Sequence, residues 1–254
     1  MVNQVHSLEG RIAFVTGASS GLGEHMALTL ARAGAHVAIT ARRGERLTEL
    51  AERIQAFDGR ALPIVMDVRE PVEVRAAVEA AETELGPIHV LINNAGLAVA
   101  KFAQDFTDED YDLVMDTNVK GAWLTAQAVG RRMIQHGHGG KIVNVASLVA
   151  LKQVSQLSLY GISKAAVAEM TRTLALEWLR YGIQVNAICP GYIETEMNAE
   201  HWRSEDGRSL IRRFPARRLM PIEALDALVL LLSSSGSDHM TGTVIPIDEA
   251  QSLM

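Results

Sequence analysis

Tyr160-Gly-Ile-Ser-Lys164 sets a phenol and an ammonium four residues apart, which on a helix places both on one face. Such a pair can make a proton donor. A free tyrosine titrates near pH ~10, and a neighbouring cation favours the phenolate and lowers that value. Taken alone, the spacing also fits an aromatic on the buried side of a helix with a lysine snorkelling outward. The elements around the pair decide between these readings.

Short apolar, β-rich runs alternate along the chain with longer helical patterns: Ile12 to Thr16, Val37 to Thr40, Leu62 to Met66, Val90 to Ile92, Lys141 to Val145, Gln184 to Ile188 and Val244 to Ile247. Near-continuous apolar strands joined by helices predict an α/β fold, a doubly wound Rossmann-type sheet of seven mostly parallel strands covered on both faces. No repeat or linker divides the sequence, so residues 1–254 read as one domain. From Glu196 to Arg218 the rhythm breaks into a polar, basic segment holding Trp202, Phe214 and Pro215, a candidate substrate loop beyond a strand end.

The first strand runs into Thr16-Gly-Ala-Ser-Ser-Gly-Leu-Gly23 and then a helical pattern from Glu24 to Ala33. Gly17, Gly21 and Gly23, with Ser19, Ser20 and Leu22 between them, would bring a helix N-terminus and its free N–H groups to a pyrophosphate. The spacing is G-x-x-x-G-x-G, and a dinucleotide is the ligand it predicts. After the second strand the chain reads Ala41-Arg42-Arg43, with no acidic residue to bind a ribose 2'-hydroxyl. Paired guanidinium groups suit a 2'-phosphate, which favours NADP(H), with NAD(H) as the alternative.

The bulk properties narrow the remaining choices. A formal charge of −6 argues against nucleic acid or an anionic membrane as partner. The longest apolar run, Ala227 to Leu232, is too short to span a bilayer, and the opening MVNQVHSLEGR lacks a signal-type apolar core. With a single cysteine, Cys189, read as structural, a cytoplasmic protein is expected. His136-Gly-His138 offers two imidazoles without a third ligand at a suggestive spacing, so it reads as a loop and no metal site is predicted.

Together these motifs closely resemble the short-chain dehydrogenase/reductase family over essentially the whole chain. Asp67-Val68 follows the third strand, Asn93-Asn-Ala-Gly96 the fourth, Asn118 lies in Thr-Asn-Val-Lys-Gly, Ser147 follows the fifth, Tyr160 comes thirteen residues later, and Pro190-Gly-Tyr-Ile-Glu-Thr195 follows the sixth. The resemblance implies an oxidoreductase that interconverts a ketone and a secondary alcohol, Tyr160 being the general acid and base. It assigns Lys164 to the nicotinamide ribose and to lowering the tyrosine pKa, Ser147 to the carbonyl oxygen, and Asn118 to a water beside Lys164. Asp67 and Val68 would bracket the adenine, Asn94, Ala95 and Gly96 would pass the ribose, and Ile193 with Thr195, after Pro190 and Gly191, would fix the carboxamide. It further implies a homo-oligomer, usually a tetramer, for which the helical patterns Tyr111 to Met133 and Tyr160 to Arg180 could supply the interface.

A mostly apolar pocket is expected from Leu148, Val149, Gln153, Val154 and Leu157 with Tyr192, Trp202 and the rest of the loop, which points to a small hydrophobic carbonyl or alcohol. The alternative is a 3-oxoacyl-[acyl-carrier-protein] reductase, with Arg131, Arg132 and Arg172 as a dock for an acidic carrier. A nucleotide-sensing protein without catalysis is the reading from another class, against which the full Asn-Ser-Tyr-Lys set argues. Where many relatives end in Asp-Gly-Gly, this chain has Asp248-Glu-Ala250, which puts in doubt the contacts of that tail.

Overall fold

In the computed structural model, which describes residues 6–196 and 198–254, the seven apolar runs form one sheet. They are β1 Ile12–Thr16, β2 His36–Ala41, β3 Ala61–Val65, β4 Val90–Asn93, β5 Gly140–Val145, β6 Ile183–Pro190 and β7 Val244–Ile247. The spatial order is β3-β2-β1-β4-β5-β6-β7, and all six pairings are parallel, so the sheet is more uniform than the mostly parallel one expected.

Parallel neighbours cannot be joined by a tight turn, so each connection must cross a face of the sheet, and the helices occupy both faces. The helices are α1 Gly21–Arg32, α2 Gly44–Gln55, α3 Pro71–Leu85, α4 Asp108–Met115, α5 Gly121–His136, α6 Ser158–Trp178, α7 Ala199–Arg203, α8 Glu205–Arg213 and α9 Asp226–Ser233. The sheet side chains alternate between two cores. Ala13, Val15, Ile39 and Ile92 pack with Met26, Leu50 and Val229 from α1, α2 and α9. Phe14, Leu91 and Ile142 face the other way, toward Val78, Val129 and Leu174 of α3, α5 and α6. Every residue of β1 is buried, and each large apolar side chain removed from water in this way contributes about 1.5–3 kcal/mol.

Two departures from a simple alternation bear on function. The helical pattern expected as one stretch from Tyr111 to Met133 is α4 and α5 joined through a wider π-helical turn at Asp116–Lys120, which contains Asn118. The expected loop 196–218 contains α7 and α8, the second capped by Ser204, whose hydroxyl accepts from Gly207 N–H at 3.0 Å.

At the opposite, amino edge, Gly139 and Gly182 lead into β5 and β6. Gly139 has φ +71°, and a Cβ there would sit 2.5 Å from the Gly182 carbonyl oxygen; Gly137 shares the φ of +71° with open space around it. Alanine at Gly137 should therefore cost only the left-handed penalty, about 1–2 kcal/mol. At Gly139 it should cost about 1–3 kcal/mol beyond that, because backbone must move. Chemical denaturation of the two variants measures the difference, and equal losses would refute the clash.

Candidate active site

Strand order reverses direction between β1 and β4, and in a parallel sheet the crevice opens beyond the carboxyl ends at that point. Thr16 closes the gap there. Its hydroxyl oxygen accepts from the N–H groups of Asn94 (2.9 Å) and Ala95 (3.0 Å), and the Asn94 amide donates back to the carbonyls of Thr16 (3.0 Å) and Gly17 (3.2 Å). The glycine turn sits against this joint so tightly that a Cβ on Gly17 would lie 2.8 Å from Ala95 Cα and one on Gly23 only 2.2 Å from Gly17 O. The half-buried Leu22 packs against the core below. The result is a cradle of N–H groups at the start of α1, dimensioned for a phosphate approaching the backbone.

The two arginines beyond β2 part company. Arg43 turns back onto the cradle, its Nη2 donating to Ser20 Oγ (2.6 Å) and its Nε to Ser19 Oγ (3.2 Å). Arg42 instead adds its charge near Asp67, whose carboxylate is gripped by Arg69 (Nη2 to Oδ2 2.6 Å, Nε to Oδ2 3.0 Å). The hydrogen bonds from Arg69, and more weakly the charge of Arg42, hold the Asp67 carboxyl below its usual range. Arg69 was not foreseen from the sequence. Val68 is buried against Gly121 at the π-helical turn.

Across the crevice, Tyr160 and Lys164 lie on α6, with Lys164 Nζ 5.6 Å from the Tyr160 ring centroid. Lys164 is buried and donates to the Val145 carbonyl at 2.8 Å; burial brings its pKa down to about 8. Ser147, at the carboxyl end of β5, accepts from Val149 N–H (3.4 Å), and its hydroxyl lies beside the Tyr160 phenol. Burial raises the Tyr160 pKa, and the bond from Ser147 pulls in the opposite direction. The Lys164 ammonium, expected to lower the phenol together with an oxidised nicotinamide, is itself desolvated and turned to the Val145 carbonyl. Both amide hydrogens of Asn118 are spent, on Leu97 O (2.8 Å) and Ser163 Oγ (2.9 Å). Gly96 lies in the same pocket, where a Cβ would meet Asn118 Oδ1 at 3.2 Å and Lys164 Nζ at 3.3 Å. Cys189, buried beneath, has its thiol pushed up to about 11 by burial, which leaves it an inert neutral group.

After Pro190 the chain forms the far wall. Gly191 N–H donates to Ile247 O (2.9 Å), Tyr192 N–H donates to Gln251 Oε1 (2.7 Å), and Ile193 is buried in a bridge to Met220. Thr195 folds back so that its methyl would contact a Cβ placed on Gly21, at 3.3 Å. Tyr192 stacks on Phe214 (5.1 Å between centroids, 5° between planes) and meets Trp202 edge-on at 5.3 Å. Of the expected pocket residues, Val149 is buried beside Ser147 and Tyr192 with Trp202 forms this aromatic wall. Val154 and Leu157 are half-buried on the turn before α6, whereas Gln153 is exposed. Phe214 and Gln251 complete the wall without having been foreseen as site residues. The first was visible only as an aromatic in a polar segment, and the second carries no motif at all.

Of the arginines expected to form a carrier-protein dock, Arg131 is exposed, whereas the other two have acidic neighbours. Arg132 is bound to Glu82, and Arg172 to Glu169 at 3.1 Å. His136 meets the same Glu82 at 3.2 Å and His138 stacks on His89 at 4.9 Å.

The pattern that describes the family "short chain dehydrogenase" matches residues 11–206. The chain belongs to this family. It is 37% identical over 253 residues, 98% of each chain, to a 2-dehydro-3-deoxy-D-gluconate 5-dehydrogenase of Escherichia coli, and 35% identical over 95% of its length and 94% of the relative's to an NAD-dependent glycerol dehydrogenase of Listeria innocua. Among solved structures it resembles a gluconate 5-dehydrogenase from Burkholderia cenocepacia in complex with NADP and tartrate, with a TM-score of 0.95 at 33% identity over the full length of both chains. This short-chain dehydrogenase is accordingly an oxidoreductase acting on CH–OH groups. Among its described residues no helix is long and apolar enough to cross a membrane.

In this dehydrogenase Gly23→Ala should force the turn open. About 1–3 kcal/mol of overpacking spent there corresponds to a loss of about ten- to hundredfold in dinucleotide affinity. Calorimetric titration, with circular dichroism as the check on folding, tests it; parental affinity would show that the cradle is not the phosphate site.

Proposed function

We propose that the protein is an NADP(H)-dependent dehydrogenase that interconverts a small ketone and its secondary alcohol, with Tyr160 as proton donor and acceptor. The observation that carries this reading is the half-buried Tyr160 on α6, with the Lys164 ammonium 5.6 Å from its ring centroid, Ser147 beside it at the end of β5, and Tyr192 of the Phe214–Trp202 aromatic cluster nearby. A raised phenol pKa keeps the proton on Tyr160 at neutral pH, the state required to protonate a carbonyl oxygen. Ser147 donates a second hydrogen bond to that oxygen as its charge develops. When bound, the nicotinamide dinucleotide supplies or accepts the hydride.

Holding that cofactor falls to Gly17, Ser19, Ser20, Gly21, Leu22 and Gly23 at the pyrophosphate and to Arg42 and Arg43 at the 2'-phosphate. Asp67 and Val68 serve the adenine, Asn94 to Gly96 and Lys164 the riboses, and Ile193 with Thr195 the carboxamide. Asn118 fixes the position of Leu97 and Ser163 around Lys164; a water beside the lysine would be met by the Asn118 backbone carbonyl, since the amide hydrogens are engaged. Exposed Tyr111, Trp123 and Leu176 on α4, α5 and α6 support a homo-oligomer built on those helices.

Tyr192, Phe214, Trp202 and Val149 favour a substrate with an apolar face, a hydrophobic ketone first. A second reading, a polyhydroxylated acid whose C–H face stacks on the same rings, is favoured by the gluconate dehydrogenases among its relatives. A panel of aryl ketones, sugar acids and 3-oxoacyl thioesters, followed by NADPH and NADH absorbance, separates these. Fastest turnover on the acids would replace the first reading by the second, and no turnover on any carbonyl or alcohol would favour a nucleotide sensor.

Tyr160→Phe keeps the ring and removes the acid, so turnover should fall by about 10²–10⁴ with cofactor affinity largely unchanged. Turnover within tenfold of the parent would refute the role. The double variant Arg42→Ala, Arg43→Ala should raise KM for NADPH by about ten- to hundredfold, the worth of one or two charge-assisted hydrogen bonds, while sparing NADH. Equal effects on both cofactors would remove the basis for preferring NADP(H).

A further inference from the structure

Glu196, the first residue of the segment that leads to α7, reaches across to two arginines on the nucleotide side of the crevice. Its carboxylate lies 3.6 Å from Arg43 Nη1 and 3.7 Å from Arg46 Nη2. Arg43 is held at the same time by the phosphate cradle through Ser19 and Ser20. One guanidinium thus ties the cofactor turn to the loop that carries Trp202, and the carboxylate takes the edge of that guanidinium which the turn leaves open. Neither motif nor spacing marks Glu196 in the sequence; it lies beyond the Pro190-to-Thr195 motif and is brought to Arg43 only by the fold.

Building on the NADP(H) reading above, we infer that Glu196 is a specificity-determining residue: it pairs with Arg43 and Arg46 and is displaced by the 2'-phosphate. NADP(H) therefore releases the substrate loop from this tether and NAD(H) does not. Charge decides the exchange. A phosphate monoester carries about −1.5 to −2 at neutral pH against −1 for a carboxylate, and three acceptor oxygens against two, so the same guanidinium groups favour it. The neutral 2'-hydroxyl of NAD(H) offers no charge with which to compete. The tether is weak enough to yield, because both partners are about half exposed and separated by ion-pair rather than hydrogen-bond distances.

The experiment combines calorimetric titration of NADP+ and NAD+ with limited trypsin digestion of the same samples. Arg203, 79% exposed in the loop, is the cleavage reporter. Glu196→Gln should bind NADP+ about two- to tenfold tighter, the range set by weak exposed pairs, with NAD+ affinity unchanged. In the parent, cleavage at Arg203 should be faster with NADP+ than with NAD+, and in Glu196→Gln the two rates should coincide. Unchanged or weaker NADP+ binding in Glu196→Gln, or equal cleavage with both cofactors in the parent, overturns the inference. Arg43→Ala keeps the two readings apart: parental NADP+ affinity in that variant defeats the 2'-phosphate assignment itself, whereas weakened affinity there with an unaffected Glu196→Gln defeats only the competition.

Discussion

The joint between β1 and β4 is the constraint on which the site depends. Because the chain leaves β1 toward one edge of the sheet and returns beside it as β4, the connections diverge and leave a crevice that no helix fills. Two N–H groups and one side-chain amide from the start of the β4 loop are satisfied by Thr16 and Gly17, so the glycine turn and the segment Asn94 to Gly96 form one rigid body. The other parts of the site are referred to that body. Gly96 sets the distance to Asn118 and Lys164, Thr195 closes on Gly21, and Arg43 is braced on Ser19 and Ser20. A buried lysine would be costly in an unorganised pocket; here the neighbours of Lys164 are fixed by backbone hydrogen bonds made at the ends of strands.

The sequence was legible wherever a local rule and the fold agree. Strand runs such as IAFVT in β1 are apolar because both faces are covered, so the pattern alone marks them as interior to a parallel sheet. The glycine turn, Asn94, Ser147 and Tyr160 could be read because each sits at a fixed distance from a strand end. What could not be read is set by tertiary geometry. Arg42 and Arg43 look like a single fork in sequence, yet consecutive residues past a strand end diverge, one toward Asp67 and one onto the cradle. Arg132 and Arg172 look like free charge until Glu82 and Glu169 are seen beside them. Phe214 and Gln251 reach the pocket from segments whose path is fixed only by packing against Tyr192.

Glu249 and Ala250 show how a departure from the family pattern is absorbed. Both have positive φ, +48° and +65°, the left-handed conformation that favours glycine. Left-handed backbone costs a residue with a Cβ about 1–2 kcal/mol, and the tail meets that cost with local bonds. Asp248 accepts from Ala250 N–H (3.0 Å) and Ser252 N–H (2.8 Å), and Glu249 pairs with Arg218 at the end of the loop segment. The substitution thus exchanges backbone ease for a charged link between the tail and the loop. Since Gln251 in the same tail holds Tyr192, the wall of the pocket is braced from both its ends.

The raised pKa of Tyr160 and the lowered pKa of Lys164 have one cause, desolvation, acting on groups of opposite charge type. Burial favours the neutral form of each, so the phenol keeps its proton beside an ammonium whose charge burial disfavours. Bringing a positively charged nicotinamide near them would lower the tyrosine and depress the lysine further, whereas the neutral reduced ring would leave the phenol protonated. On the proposed reading, burial therefore keeps Tyr160 in the acid form that carbonyl reduction needs, and the charge of the oxidised cofactor would convert the same residue into the base needed for alcohol oxidation.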